Sequence, residues 1–229
     1  MSDTQQIKLW DLPTRIFHWT LAAAVIAAII SGHVGGNAIE WHGRLGLLVV
    51  GLVVFRLVWG FIGSTYARFA TFFPTPAGIR CYLKGQWQGV GHNPLGALSV
   101  FALLALTACQ VGTGLFANDD IAFQGYLFNL AGKDLSDTLS GIHELCGNLL
   151  TGLIVLHVAA IAFYFHMRHH NLVRPMITGK APAPVGTPDA QGGRLVAFIV
   201  ALVLALAAVW GASGVWLPAP PPTSSNQDW

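Results

Sequence analysis

Two histidines, His143 and His157, stand 14 residues apart in the otherwise apolar stretch GIHELCGNLLTGLIVLHVAA at 141–160. An imidazole in such a segment is costly unless something engages it. Along an α-helix, 14 residues turn about 1400°, roughly 40° short of four turns. Both side chains therefore project from one face, about 21 Å apart along the axis. Two more histidines, His18 and His42, sit in or at the edge of other apolar stretches. The remaining five, His33, His92, His166, His169 and His170, fall at segment ends or in loops. Imidazoles that face each other across a helical bundle suit a metal with two axial positions, and haem b is the natural candidate. An iron with both axial positions taken by histidine has no open site, which favours electron transfer over oxygen or substrate chemistry.

The elements that must position these histidines are five apolar segments, at about 16–34, 42–63, 94–115, 142–166 and 194–216. Each is near the roughly 20 residues needed to cross a bilayer as a helix. The runs LLVVGLVVF and LVAFIVALVLALAAVW are continuous rather than alternating, which argues against a barrel. Only 10% of the 229 residues are charged, against about 25% in a soluble domain. The predicted fold is an all-α membrane protein: a four-helix transmembrane haem-binding bundle plus a fifth C-terminal transmembrane helix.

Charge sets the expected orientation. Lys8 and Arg15 precede the first segment, Arg68, Arg80 and Lys84 follow the second, and Arg168, Arg174, Lys180 and Arg194 follow the fourth. The opposite loops hold Lys133, with Arg44 just inside the second segment. By the positive-inside rule the N-terminus is cytoplasmic, and five crossings leave the C-terminus outside. This topology sorts the histidines into two levels. His42 and His143 share the outer level, and His18 and His157 share the inner one. Each pair takes one member from the fourth segment.

Neighbouring residues fit that sorting. His42 and His143 each open an H-x-x-x-G, ending at Gly46 and Gly147, and a glycine one turn after a ligand leaves room for a flat macrocycle. Close helix packing selects glycine for the same reason. Arg44 at the outer level and Arg15 at the inner level are candidate partners for haem propionates. Arg56 lies 14 residues after His42, on the same face at the inner end. It either pairs a propionate or snorkels to the interface.

Other features carry less chemistry. Cys81, Cys109 and Cys146 form no C-x-x-C, which excludes a zinc knuckle and a covalent haem motif. A net charge of +2 without a basic run gives no reason to expect nucleic acid. His166, His169 and His170 resemble one box of a di-iron enzyme, which needs several, and read as a basic juxtamembrane end. Polar residues before the first segment argue against a cleaved signal peptide. Acidic residues gather on the expected outer side (Glu40, Asp119, Asp120, Asp134, Asp137, Glu144 and Asp228), where they could dock a basic partner. The domain reading is a cytochrome unit over 1–180, a flexible cytoplasmic linker over 181–193, the fifth helix over 194–216 and an extended external tail over 217–229.

LWDLPTRIFHW at 9–19, WHGRLG at 41–46, FRLVWG at 55–60, GHNPLGALSV at 91–100 and IHELCG with LHVAAI between 142 and 161 resemble the prokaryotic cytochrome b561 family. That family includes the cytochrome b subunits of nickel–iron hydrogenases. The resemblance covers about residues 7–180. It implies a four-helix cytochrome holding two non-covalent, bis-histidine haem b groups, with His18 opposite His157 and His42 opposite His143. It further implies electron exchange with membrane quinone and a second redox partner. The expected function is electron transfer between the quinone pool and a periplasmic partner such as a c-type cytochrome. The first alternative is a membrane-anchor subunit of a hydrogenase or other dehydrogenase. The second is a haem-free transporter with a histidine proton relay. A homo-oligomer is left open.

Overall fold

The computed structural model describes residues 4–121 and 123–218. Its elements are strand β1 (Thr4–Lys8) and helices α1 (Leu12–Val34), α2 (Ile39–Ile62), α3 (Phe69–Phe72), α4 (Pro76–Leu83) and α5 (Pro94–Gly114). Helices α6 (Phe128–Ala131), α7 (Lys133–Met167) and α8 (Val173–Thr178), strand β2 (Lys180–Pro184) and helix α9 (Leu195–Ala212) follow. Five of the helices, α1, α2, α5, α7 and α9, are long and apolar enough to cross a bilayer. They occupy the five segments expected from hydropathy. One end of the bundle carries the β1–β2 ribbon and is called the β-end. The other carries residues 115–132 and is called the loop end.

Helix α2 is the centre of the bundle. It packs against α1, α5 and α9, while α7 packs along α5 and touches α1 and α2 little. One core joins α1, α2 and α9 through Phe17, Phe55, Trp59, Ala201 and Ala205. A second joins α1, α2 and α5 through Ala24, Val49, Val53 and Leu104. Small residues permit these approaches: a Cβ on Gly51 would come within 2.8 Å of Val209 Cγ2 on α9. Leu195, Val196, Val203 and Leu206 on the other side of α9 remain exposed, as suits a lipid-facing surface.

Caps fix where helices start at the β-end. Asp11 caps α1, its Oδ1 accepting from Thr14 N at 2.6 Å, and Pro13 opens the first turn. Asn93 caps α5 in the same way, accepting from Gly96 N at 2.8 Å ahead of Pro94. Asp11 does more than cap. Its Oδ2 accepts from Trp59 Nε1 at 3.0 Å and from the Ser64 hydroxyl, tying the start of α1 to the end of α2.

Three expectations are corrected. The fourth helix begins at Lys133, nine residues before hydropathy places it, and runs for 35 residues. Hydropathy stops where polar residues begin, but the helix continues. Ser136, Asp137 and Ser140 there bond to Asn118 of the loop end. At about 1.5 Å per residue α7 is roughly 52 Å long, well beyond a bilayer core of about 30 Å.

The segment after residue 180 is not a free linker. Residues Lys180–Pro184 pair antiparallel with Thr4–Lys8, from Thr4↔Pro184 to Lys8↔Lys180. Ile7, Leu9, Trp10, Ala181 and Ala183 bury a small core beneath the ribbon. Gln191 and Gly192 then pair with Thr65 and Ser64. Proline-rich composition suggested mobility, but the alternating alanines of KAPAP supply a buried face that pairing completes.

Nor is α9 set apart from the four-helix unit, since it shares the core around Trp59, which is fully buried. Most of the expected external tail, residues 219–229 with Asp228, lies outside the described residues.

Candidate functional site

The loop end holds a cavity of about 430 Å³ between α1, α2, α5 and α7. His42 and His143 line it, together with Gly46, Gly147, Gln110 and Val25. The two imidazoles face each other with ring centroids 5.9 Å apart and planes at 82°. Metal–imidazole nitrogen bonds of about 2 Å put two axial imidazole centroids roughly 6 Å apart across one metal. The observed separation is compatible with that spacing.

Each ring is locked by a main-chain carbonyl of another helix. His42 Nδ1 donates to Ala28 O on α1 at 2.8 Å, and His143 Nδ1 donates to Gln110 O on α5 at 2.9 Å. A carbonyl oxygen can only accept, so both Nδ1 atoms carry hydrogen. In the neutral rings, both Nε2 atoms then present the lone pair a metal needs. On His143, Nε2 accepts from the Gln110 carboxamide at 3.0 Å, a flexible side chain that a metal would displace.

Glycines seat both rings. A Cβ on Gly114 would stand 2.7 Å from His143 Cε1, and one on Gly32 would stand 3.0 Å from His42 Nδ1. The H-x-x-x-G spacing points instead to Gly46 and Gly147. A Cβ on Gly46 would meet nothing within 4 Å, so this glycine borders open space, as clearance for a macrocycle requires. A Cβ on Gly147 would lie 3.2 Å from Gln110 Nε2, so it makes room for that side chain as well. Neither Gln110 nor the seats Gly32 and Gly114 carries a local signal. Which ring lies on which glycine depends on how the helices are rotated against each other.

Ten residues of α1 separate His18 from Ala28, or about 15 Å, so His18 belongs to a second level near the β-end. His157 of α7 lies within electrostatic reach of it. His18 Nδ1 is buried without a hydrogen-bond partner, so this ring lacks the carbonyl lock seen at the loop end. Arg56 is sealed at 5% exposure, with its guanidinium 4.6 Å from the Phe69 ring centroid. That burial rules out snorkelling to the interface.

His92, from the connection before α5, is brought to this level as well, within electrostatic reach of His18, His157 and Arg56. Desolvation first, and then the Arg56 charge, pull its pKa down to about 3, so the ring is neutral.

The other two arginines are engaged elsewhere. Arg44 is exposed, bonds to Glu40 at 3.3 Å and sits 5.0 Å from the Trp41 ring centroid. It does not line the cavity. Arg15 donates to Ile177 O at 2.5 Å and fastens α1 to α8. Between α5 and α7, Cys109 and Cys146 place their Sγ atoms 3.1 Å apart, both as free thiols.

Two opposed imidazoles with both Nδ1 atoms donating to carbonyls, a cavity bordered by glycine, and His18 within reach of His157 with its Nδ1 unpartnered fit a b-type haem protein. Comparison with known proteins agrees. A Rhizobium leguminosarum bv. viciae protein is 19% identical over 216 residues, covering 78% of this chain and 90% of its own. One from Azotobacter chroococcum mcd 1 is 24% identical over 216 residues, covering 76% and 87%. One from Escherichia coli K12 is 20% identical over 137 residues, covering 46% and 57%. All three are described as probable Ni/Fe-hydrogenase B-type cytochrome subunits. No solved structure matches. Residues 9–179 match the family model of prokaryotic cytochrome b561, so the chain belongs to that family and is a membrane b-type cytochrome.

Proposed function

We propose that this chain carries electrons through the membrane between quinone and a redox partner at the loop end, using two haem b sites. His42 and His143 would hold one haem, and His18 and His157 the other. Haem b with two histidine ligands supplies one-electron chemistry without an open coordination position. What the chain contributes is the holding of the rings. The carbonyls of Ala28 and Gln110 keep both Nδ1 atoms protonated, so both Nε2 atoms carry the lone pair that a metal needs. This locked, opposed pair is the observation that carries the reading. Positive residues near the β-end support a cytoplasmic N-terminus.

We favour a hydrogenase-type dehydrogenase as the partner, because the relatives bear that description. A second reading, a soluble c-type cytochrome, is favoured by the exposed carboxylates Glu40, Asp120 and Asp134 near the loop end. Purification of the full chain with pyridine-haemochrome quantitation tests the haem reading. About two haems b per chain are expected, and a haem-free protein would refute it. Affinity capture from the native membrane, with mass spectrometry of what co-purifies, decides between the two partners.

A further inference from the structure

Among the described residues, six buried side-chain polar atoms have no hydrogen-bond partner. Five of them, on Thr14, Arg15, His18, Arg56 and His92, lie towards the β-end. Such an atom costs free energy unless something outside the chain satisfies it. Two belong together. Arg56 Nη1 comes from α2, and His92 Nδ1 comes from the connection before α5. His92 is wedged between Trp10 and Phe72, with ring centroids 4.6 and 4.5 Å away, so its position is set by packing.

A buried guanidinium calls for an anion. Asp11 is the carboxylate within electrostatic reach of Arg56, but its oxygens are engaged by Thr14 N, Trp59 Nε1 and Ser64. Asp11 therefore moderates the charge from a distance and leaves Arg56 Nη1 without a partner. The remaining need is for an anion that offers planar oxygens to a guanidinium fork and, in the Nδ1–H tautomer of neutral His92, accepts from that ring nitrogen. Carboxylates have that chemistry. His92 also lies in reach of His18 and His157, so the anion belongs to whatever those histidines hold.

We propose that Arg56 and His92 form a carboxylate clamp that holds the acidic side arms of the haem at the His18–His157 level. This rests on the reading of that level as a haem site. Arg56 supplies charge. His92 supplies a fixed N–H and acts as a positioning residue, since it is not an axial ligand. Its aromatic seat explains why a histidine from a connecting loop is held rigidly inside the bundle.

The test uses the full chain purified in detergent with its haems. His92→Phe keeps a ring between Trp10 and Phe72 but removes the N–H, and His92→Gln restores a donor. With His92→Phe, two haems per chain are expected, one of them passing to apomyoglobin about ten times faster than in the wild type. The midpoint potential of that haem should fall, because its carboxylates are less neutralised, and His92→Gln should recover part of both effects. Reconstitution with iron protoporphyrin dimethyl ester, which lacks the free carboxylates, should erase the difference between wild type and His92→Phe.

Wild-type retention and potential in His92→Phe would overturn the clamp. So would a difference that persists with the diester, which would point to another anion, or equal loss of both haems in the two variants, which would mark a folding role. A wild-type protein with only one haem, still bound after His18→Ala, would instead refute the second haem site itself.

Discussion

His42 and His143 face each other across the loop-end cavity with ring centroids 5.9 Å apart, and neither ring is oriented by its own helix. Ala28 of α1 holds the first and Gln110 of α5 holds the second. The geometry of the pair is therefore a property of four helices. Replacement of either histidine should remove one haem of two, and the double variant His42→Ala/His143→Ala should lose no more than either single one. Haem per chain by pyridine haemochrome checks this. Retention of two haems by either single variant would defeat the pairing.

The ring seats should be as sensitive as the ligands. Gly114→Ala would place a methyl 2.7 Å from His143 Cε1, and overpacking of this kind costs about 1–3 kcal/mol. The ring should swing off Gln110 O, and haem retention at the loop end should fall. Gly112→Ala, two residues earlier on α5, meets nothing within 4 Å and should be silent. Equal haem retention in the two variants would contradict the seat.

The ribbon should resist proteases. Ile7 is 2% exposed in the small core of β1 and β2, and truncating a buried isoleucine to alanine costs about 2–5 kcal/mol. In wild-type protein, cleavage within 180–193 should be slow. With Ile7→Ala it should become the first cut, read by mass spectrometry. Rapid cutting of the wild type there would restore the flexible linker expected from composition.

Tyr82 of α4 and Tyr164 of α7 share a hydrogen bond, and Asn93 donates to Tyr164 Oη at 3.1 Å. Burial, and then the Tyr164 hydrogen bond, push Tyr82 from 10.0 up to about 12. A raised folded pKa means that the folded chain holds a proton the unfolded chain has released. The stabilisation is thus fully present below pH 10 and is lost as pH rises through about 12. In a phenolate titration followed by absorbance, the latest-ionising component should be absent from Tyr82→Phe. An unchanged titration would sink the assignment.

Much of this site was legible in the linear chain. The apolar runs showed the five spans, and the 14-residue interval showed two levels on one helix face. Arg56 stood out because a charge inside FRLVWG needs a reason. Arg15 and Arg44 read equally well as haem partners, yet one fastens α8 and the other lies exposed beside Glu40 and Trp41. Spacing along a helix assigns a level and a face, but it does not say what that face meets. The ribbon escaped notice because β1 and β2 are 172 residues apart in their closest ladder pair, Lys8↔Lys180. Each is too short to be recognised without the other.

By itself, the sequence determined the membrane class, the five membrane-length helices and the two heights at which their histidines stand. These follow from hydropathy and from the fixed turn and rise of an α-helix, which are local properties. Only the tertiary structure decided which carbonyls lock His42 and His143, which glycines seat them, and that His92 joins Arg56 near His18. Those outcomes depend on how each helix is rotated about its axis and on the path of its connections. Such choices are settled by packing among residues distant in the chain, and no local period records them.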